Sequence, residues 1–269
     1  MQIDLKQEDS IISDFLKSIG PWAQHVIIGG GYAPIIYKLY LAHSEKSNPP
    51  VGTRDIDSLI PRKITNKLDK NISDYLQNSG FSRVRKDYDQ PATEAYVKEI
   101  AGVEIEIEFL TDAHREGVTK NVTVAGIVAQ PLRYLELSLQ AAKEFKTTAK
   151  LAGLVVAPEA WIFHKGLTFP KRSDKAKQYK DLYGIWYVAT QLEGFSDEAI
   201  SKLPTLIQKR PSKWVKTFQD NLIEWIEAAS PQDWRQLETQ DPFGQLSKLR
   251  FEQLVQSILS RACSNKKTR

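Results

Sequence analysis

The chain has 269 residues, of which 41% are hydrophobic, 10% aromatic and 26% charged. These proportions are typical of a soluble globular protein, and they exclude collagen-like, low-complexity and disulfide-rich classes. The single cysteine, Cys263, cannot form an intramolecular disulfide, and the N-terminal residues lack the layout of a signal peptide, so we expect a cytoplasmic location. No apolar run reaches the roughly 18 residues that a membrane span needs, which argues against a membrane protein.

The net charge is +4, from 37 basic and 33 acidic residues, and it is unevenly distributed. Residues 162–180 carry six basic side chains and one acidic side chain, a local balance of +5 that exceeds the total of the whole chain. Such a cluster would suit nucleic acid or a nucleotide, but it is equally typical of the solvated face of a helix. The charge pattern leaves both interpretations open.

The first half of the chain alternates between patterns typical of helices and patterns typical of strands. Apolar residues at helical spacing end at Gly20-Pro21, and a β-branched run then ends in three glycines. The two arms around Ala101-Gly102 form the clearest predicted hairpin. The predicted helices cover 10–19, 33–41 and 64–76, a loop covers 44–52, and strands cover 25–28, 53–60, 81–84, 95–100, 103–110, the strand-rich stretch 122–139, and 154–157.

The second half predicts helices throughout, because its apolar residues recur at every third or fourth position. We expect an α+β fold class, with a mixed β-sheet flanked by helices in an N-terminal lobe and only helices in a C-terminal lobe. The expected boundaries are 1–155 and 156–269. The predicted helices of the second lobe cover 158–169, 176–193, 197–208, 212–228, 232–239 and 246–261.

Two aspartates lie two residues apart on one predicted strand. Because side chains alternate along a strand, Asp55 and Asp57 project from one face, with their Cα atoms about 6.6 Å apart. Two such carboxylates can share a hard cation such as Mg²⁺, and a third carboxylate from a neighbouring strand would complete the site. The row of Glu104, Glu106 and Glu108 offers that third acid. The alternative is that the two aspartates are turn or edge residues and that the glutamates form the solvated face of their strand.

Three glycines precede the aspartates in the sequence and end a predicted strand. Gly29, Gly30 and Gly31 would let backbone N–H groups approach phosphate oxygens, and the helix that follows would favour negative charge at its N-terminus. The G-x-G-x-x-G spacing of dinucleotide-binding proteins is absent, and so is the Gly-Lys-Ser/Thr ending of a P-loop. The order of these parts predicts phosphates held between the glycines and a metal ion.

Two segments follow each other in a recognisable order: Ile27-Ile28-Gly29-Gly30-Gly31-Tyr32-Ala33 and then Thr53-Arg54-Asp55-Ile56-Asp57. In these segments the chain resembles the polymerase-β-type nucleotidyltransferase superfamily. Within it, the chain is most similar to the AbiEii-like nucleotidyltransferases, many of which are toxins of bacterial toxin–antitoxin or phage-abortive systems. The resemblance covers residues 20–195, and its later motifs are a lysine on one helix and a Lys-Asp pair on the next.

The resemblance implies a metal site and a nucleotide site. Asp55 and Asp57 would bind Mg²⁺, or Mn²⁺ in its place, in a two-metal arrangement. The third carboxylate would be Glu108, with Glu106 as the close alternative, because strand alternation cannot separate the two. Two positions depart from the superfamily pattern: a glycine follows the first glycine where a serine is common, and Val51 stands where an arginine is common. These departures affect the expected affinity for phosphate and leave the metal site intact.

Six further residues would act on the nucleotide or on the groups around it. The resemblance implies phosphate contacts from Gly30, Gly31 and Thr53, triphosphate contacts from Lys165 and Lys180, and a positioning role for Asp181 toward a lysine or the acceptor. For Lys165 and Asp181 the alternative is a salt bridge between two helices.

The implied reaction is the attack of an acceptor hydroxyl on the α-phosphorus of a nucleoside triphosphate, with release of pyrophosphate. The resemblance favours tRNA or a protein as acceptor, a role as the toxin of a toxin–antitoxin or phage-defence system, and an antitoxin as partner. Two alternatives stay open. One is a protein of the same fold that binds nucleotide or RNA without turnover, and the other is an enzyme that nucleotidylates a small molecule such as an antibiotic.

Overall fold

A computed structural model gives the structure of most of the chain. It describes residues 3–42, 47–64, 68–88, 90–113 and 120–264, with side chains as far as Arg261. The side chain of Cys263 and part of the predicted loop 44–52 therefore lie outside the described residues. None of the described helices has the length and apolar character that crossing a membrane requires.

Within the described residues, nine strands form one mixed sheet. They are β1 (Ile27–Ile28), β2 (Asp55–Leu59), β3 (Ser82–Arg85), β4 (Glu94–Ile100), β5 (Val103–Asp112), β6 (Val122–Val124), β7 (Ile127–Leu132), β8 (Ala142–Lys146) and β9 (Ala152–Val156). The order across the sheet is β3-β4-β5-β2-β1-β9-β8, and β7 pairs with both β5 and β6. The pairs β2–β5, β1–β9 and β5–β7 are parallel, and the other neighbours are antiparallel.

The helices begin before the sheet and continue after it. They are α1 (Leu5–Ile19), α2 (Tyr32–Ile36), α3 (Ile72–Asn78), α4 (Glu136–Gln140), α5 (Pro158–Thr168), α6 (Lys175–Thr190), α7 (Gly194–Gln208), α8 (Ser212–Ala228), α9 (Pro231–Glu238) and α10 (Lys248–Ser264). Short 3₁₀ turns cover Gly20–Gln24 and Phe169–Lys171, and a π turn, Tyr37–Leu41, extends α2. The α+β fold class predicted from the sequence is confirmed.

The chain divides into two compact units. The sheet unit consists of Ile3–Leu41 and Gly52–Ala157, and the helical unit consists of the described residues of 42–51 together with the chain from Pro158 onward. The division after Ala157 differs by two residues from the expected boundary at 155. The segment 42–51, which interrupts the sheet unit in sequence, was not expected to belong with the helices.

The core of the sheet unit follows from period-two alternation along its strands. On β5, Ile105 and Ile107 are fully buried and alternate with glutamates, as the sequence pattern predicts. Helix α1 contributes its buried apolar face, which includes Ile11 and Phe15. This helix starts five residues earlier than the spacing predicts, because the side chain of Asp4 caps it by accepting a hydrogen bond from the N–H of Lys6.

Three local assignments differ from the sequence predictions. The helix predicted over 64–76 begins only at Ile72, because the side chain of Asn71 caps α3 there. The strand-rich stretch 122–139 contains β6 and β7 but ends in the short helix α4. Strand β8 was not predicted. It lies at the end of the sheet, and of its residues only Phe145 is buried, so it lacks the apolar alternation that marks the other strands.

The helical unit is packed through aromatic side chains. Phe163 on α5 meets Phe218 on α8 with ring centroids 4.9 Å apart. Farther along the chain, Trp225 on α8 and Trp234 on α9 pack edge to face at 4.7 Å, and both contact Phe251 on α10. These contacts place both tryptophans in the packing of this unit.

Candidate active site

Four carboxylates lie on one face of two neighbouring parallel strands. The register of β2 and β5 pairs Asp55 with Glu106 and Asp57 with Glu108. Side chains directly opposite in a sheet point to the same face, and neighbouring strands lie about 4.8 Å apart. Ile56, between the two aspartates, and Ile107, between the two glutamates, point to the opposite face and are buried. Asp55 is exposed, whereas the other three acids are half-buried.

The register separates Glu104 from the other glutamates of its row. Glu104 pairs with Glu99 on β4, and β2 begins only at Asp55, opposite Glu106. Glu104 is exposed to solvent and has no aspartate beside it. Of the three glutamates that the sequence offered, the structure brings Glu106 and Glu108 next to the aspartates.

The glycine turn after β1 packs directly against Asp57. The N–H of Gly29 donates a hydrogen bond to the carbonyl oxygen of Asp57 at 2.8 Å. Gly30 has a φ of +50°, and a Cβ added there would lie 1.6 Å from Oδ2 of Asp57. The left-handed backbone and the close approach both require glycine. The sequence motif of glycines and Asp-x-Asp is therefore one structural unit.

Gly31 makes a similar close approach to Thr53, the residue that leads into β2. A Cβ on Gly31 would lie 2.9 Å from Cγ2 of Thr53, and the hydroxyl of Thr53 accepts a hydrogen bond from the N–H of Asp55 at 3.4 Å. The predicted phosphate-binding residues Gly30, Gly31 and Thr53 thus lie around the aspartates. Whether they contact phosphate stays a prediction.

A lysine that sequence reasoning missed joins this face. Lys86 follows β3, and its Nζ lies 2.6 Å from Oε2 of Glu106 on β5. Its hydrogen bond with Glu106 raises the pKa of Lys86, and the charges of Glu108 and Asp55 act in the same direction. No local pattern marks this residue, because it reaches Glu106 only after β3, β4 and β5 have paired side by side.

Glu108 is the acid whose charge is most disfavoured. Burial, a hydrogen bond with Glu106 and the negative charges of Asp57 and Glu106 raise the pKa of Glu108 to about 7, while the charge of Lys86 opposes the rise. The face therefore holds more negative charge than the nearby cation neutralises. Such a face attracts positive charge.

The donor chemistry of this face fits a hard divalent cation, because carboxylate oxygens are the ligands that Mg²⁺ prefers. Asp55, Asp57 and Glu108 would hold the ion, while Glu106 is engaged by Lys86. Over the part of the chain that the structure describes, no three acidic, histidine or cysteine side chains already converge in a coordination sphere. The strand register and the excess negative charge therefore support the metal site, and the side-chain positions would have to adjust around the ion.

A second group of polar residues lies beneath the same segments. Glu8 on α1 is 1% exposed, and its Oε1 lies 3.6 Å from Nη1 of Arg54. The buried hydroxyl of Tyr32, the residue after Gly31, also faces Glu8. Burial raises the pKa of Glu8, while Tyr32 and Arg54 lower it in part. The three side chains connect α1 to both segments of the motif, which the sequence did not reveal.

Comparison with protein families adds a finding that does not depend on this geometry. A family model described as nucleotidyltransferase matches residues 9–202, which is well over half of the chain. The chain belongs to the nucleotidyltransferase family. The match includes the glycines, the aspartates and the glutamates of this face, and it continues through Lys165 and Asp181.

Other comparisons are more distant. Among solved structures, the chain is similar to one titled an antigenic nucleotidyltransferase-like protein from Paracoccidioides brasiliensis, at 16% identity and a TM-score of 0.44. The alignment covers 79% of this chain and 93% of the other. No curated protein matches the sequence.

In the helical unit, Lys165 and Asp181 form a buried ion pair. Nζ of Lys165 on α5 lies 2.5 Å from Oδ1 of Asp181 on α6, and Nε of Arg172 lies 3.0 Å from Oδ2. Burial alone would raise the pKa of Asp181, but the charges and hydrogen bonds of Lys165 and Arg172 lower it below its usual value. Lys180 is half-buried on the same helix. The salt bridge left open by the sequence is present, and a contact of Lys165 or Lys180 with nucleotide stays a prediction.

The Asp181→Asn variant should lower the free energy of unfolding by about 3 kcal/mol, because it leaves Lys165 buried without its counter-charge. The matched control is Asp220→Asn, which removes an exposed partner of Lys216 and should leave the stability nearly unchanged, because water screens an exposed pair. Urea unfolding followed by circular dichroism measures both. Equal stability of the two variants would contradict the prediction.

The ion pair should also make stability depend on pH. Because the pKa of Asp181 is lowered in the folded protein, its contribution to the free energy of unfolding should be complete above about pH 4 and should decrease as the pH falls further.

Proposed function

We propose that this nucleotidyltransferase is a metal-dependent enzyme that transfers a nucleoside monophosphate from a nucleoside triphosphate to an acceptor hydroxyl. The observation that carries the proposal is the register of β2 and β5, which sets Asp55 beside Glu106 and Asp57 beside Glu108. The proximity of the glycine turn to Asp57 supports a phosphate group at the same point.

In the proposed reaction, the acceptor hydroxyl gives up its proton to solvent and its oxygen forms a bond to the α-phosphorus. The bond between the α-phosphorus and the oxygen that bridges to the β-phosphorus breaks, and pyrophosphate leaves with that oxygen. When bound, Mg²⁺ would neutralise the triphosphate and lower the pKa of the acceptor hydroxyl. Asp55 and Asp57 would hold the ion, and the backbone of Gly30 and Gly31 would let phosphate oxygens approach closely beside them. Most of the rate enhancement would come from positioning and electrostatics.

Glu108 is favoured over Glu106 as the third ligand. Glu108 stands beside Asp57, and burial and the neighbouring acids raise its pKa, whereas Glu106 is already paired with Lys86. We expect Glu108→Gln to raise the Mg²⁺ concentration for half-maximal activity by about tenfold. Glu106→Gln should change it by less than about threefold. A Mg²⁺ titration of initial rates compares the two, and the reverse order would assign the ligand to Glu106.

The family resemblance supports a finer proposal. We propose tRNA or a protein as the acceptor, and the role of a toxin in a toxin–antitoxin or phage-defence system, with an antitoxin as partner. These features rest on the similarity of the motifs to AbiEii-like nucleotidyltransferases. The carboxylate face is compatible with any hydroxyl acceptor, so the acceptor must be found by experiment.

The test is incubation of the purified protein with Mg²⁺, each α-labelled nucleoside triphosphate in turn, and total tRNA or cell extract. We expect label on RNA or on protein, loss of label in EDTA, and no label with the Asp55→Asn, Asp57→Asn double variant. Pyrophosphate release is measured in parallel, because a small-molecule acceptor would release it without a labelled macromolecule.

Two outcomes would contradict the proposal in different ways. Nucleotide or RNA binding without any pyrophosphate release, across all four nucleotides and with extract present, would identify a binding protein of the same fold. Transfer that is unchanged in EDTA and in the double variant would remove the carboxylate face from the mechanism.

A further inference from the structure

The carboxylate face, the side of β2 and β5 that carries the four acids, divides into two pairs. The register sets Asp55 beside Glu106 at the start of β2, and Asp57 beside Glu108 two residues further on. Two carboxylates on neighbouring strands supply oxygen ligands for a hard cation. The face therefore offers a place for positive charge at each pair, and the family resemblance would put a divalent ion at both.

One of these places already holds a cation of the chain itself. Nζ of Lys86 lies 2.6 Å from Oε2 of Glu106, a contact as short as a charge-assisted hydrogen bond. The charges of Asp55 and Glu108 also attract this ammonium group. Both members of the Lys86–Glu106 pair are partly exposed, so solvent and ions can reach it. The Asp55–Glu106 end of the face thus carries its own positive charge.

Other basic side chains near these strands belong to the opposite face of the sheet. Arg54 pairs with Glu8 of α1, and Arg83 pairs with Glu94 of β4. Along β3, Arg83 is an odd number of residues from Lys86, so alternation directs the two side chains to opposite sides. Lys86 is the basic residue of this strand end that reaches the acids.

The contact of Lys86 depends on the shape of the sheet. The β3 residue level with Glu106 is Ser82, because each of them pairs with Val97 of β4. In a flat sheet Lys86, four residues later, would lie about 13 Å further along the strand direction. The contact therefore requires the end of β3 to twist toward the carboxylate face. A strand that carries none of the acids delivers the lysine to them.

An ammonium group and a divalent ion compete for the same carboxylate. A second ion at the Asp55–Glu106 pair would need the oxygen of Glu106 that Lys86 occupies, and two cations a few ångströms apart repel each other. The other pair lies against the glycine turn, where Asp57 packs on Gly30 and where we place the phosphates. The two ends of the face are therefore not equivalent.

We propose that Lys86 supplies the second positive charge of the carboxylate face, so that the face binds a single divalent ion, on Asp55, Asp57 and Glu108. The ammonium group takes the place that a second ion would have beside Glu106. It donates a hydrogen bond and transfers no proton. Its role in nucleotidyl transfer rests on the proposed function, whereas the number of ions that the face binds does not.

The test counts bound Mn²⁺ by electron paramagnetic resonance, in which the free ion gives the signal, with metal-free protein and without nucleotide. The variants are Lys86→Met, Lys86→Arg and the double variant Lys86→Met, Glu106→Gln. The matched control is Lys98→Met. Lys98 pairs with Asp14 at 2.7 Å on the opposite face of the sheet, so its loss also frees a carboxylate. Thermal unfolding is recorded for each variant to show that all are folded.

We expect the unchanged protein, Lys86→Arg and Lys98→Met each to bind a single Mn²⁺ per chain. Lys86→Met should bind a second ion, because the loss of the ammonium group frees Glu106 beside Asp55 and removes the repulsion. The double variant should return to a single ion, because the second ion needs the carboxylate of Glu106.

Four results would overturn the proposal. They are a second ion or no ion at all in the unchanged protein, no second ion in Lys86→Met, a second ion in Lys86→Arg or Lys98→Met, and a second ion that persists in the double variant. Failure of the proposed function is a separate result, because it appears as absent pyrophosphate release whatever number of ions the face binds.

Discussion

The Asp57→Asn variant should lose nucleotidyl transfer by at least about a thousandfold in kcat/KM. Asp57 combines three features that no other residue of the face shares. Its carbonyl oxygen accepts the N–H of Gly29, its carboxylate packs against Gly30, and its strand position is opposite Glu108. An amide in its place would keep the shape but remove the charge that would bind the metal ion in the proposed mechanism.

The measurement is initial-rate kinetics under saturating Mg²⁺, with Glu104→Gln as the matched control. Glu104 is a carboxylate on β5 that lies beyond the end of β2, so its loss should leave activity within about twofold. The free energy of unfolding of Asp57→Asn should stay within about 1–2 kcal/mol of the unchanged protein, because the substitution removes one of several like charges. Full activity in Asp57→Asn would reject the proposed mechanism.

The Gly30→Ala variant should reduce kcat/KM by about a hundredfold, because the new Cβ displaces the carboxylate of Asp57. Gly102→Ala separates this effect from backbone strain. Gly102 also has a positive φ, +77°, but a Cβ there meets nothing within 4 Å. Both variants should lose about 1 kcal/mol of stability from strain, and only Gly30→Ala should lose activity.

Initial-rate kinetics and urea unfolding of both alanine variants distinguish the contact with Asp57 from backbone strain. If Gly102→Ala lost as much activity as Gly30→Ala, strain rather than the contact with Asp57 would be the cause. If neither lost activity, the carboxylate of Asp57 would not need its present position for transfer.

The association of the glycine turn with Asp-x-Asp was predictable, because each of the two motifs is recognised from a few consecutive residues. The alternation around Asp55 and Asp57 places the two carboxylates on one face whatever the rest of the chain does. The second arm of the hairpin was likewise marked by alternating glutamates, and β5 forms where this pattern predicts it. These local signals were sufficient for the fold class.

The choice among the glutamates was not predictable, because it depends on pairing between strands that lie some fifty residues apart in sequence. Alternation gives Glu104, Glu106 and Glu108 the same face, and only the parallel register with β2 separates the first from the other two. Lys86 was missed for the same reason. Its contact with Glu106 depends on the order of three strands, which no local pattern contains.

Strand β3 lies at the end of the sheet, and all four of its residues are exposed. In sequence, however, the β3–β4 hairpin falls between the two strands that carry the acids. Its loop can therefore change in length or composition without shifting the pairing of β2 with β5. Evolution could therefore vary this peripheral loop, and protein engineers could exchange it between relatives, while the strands that carry the acids stay paired.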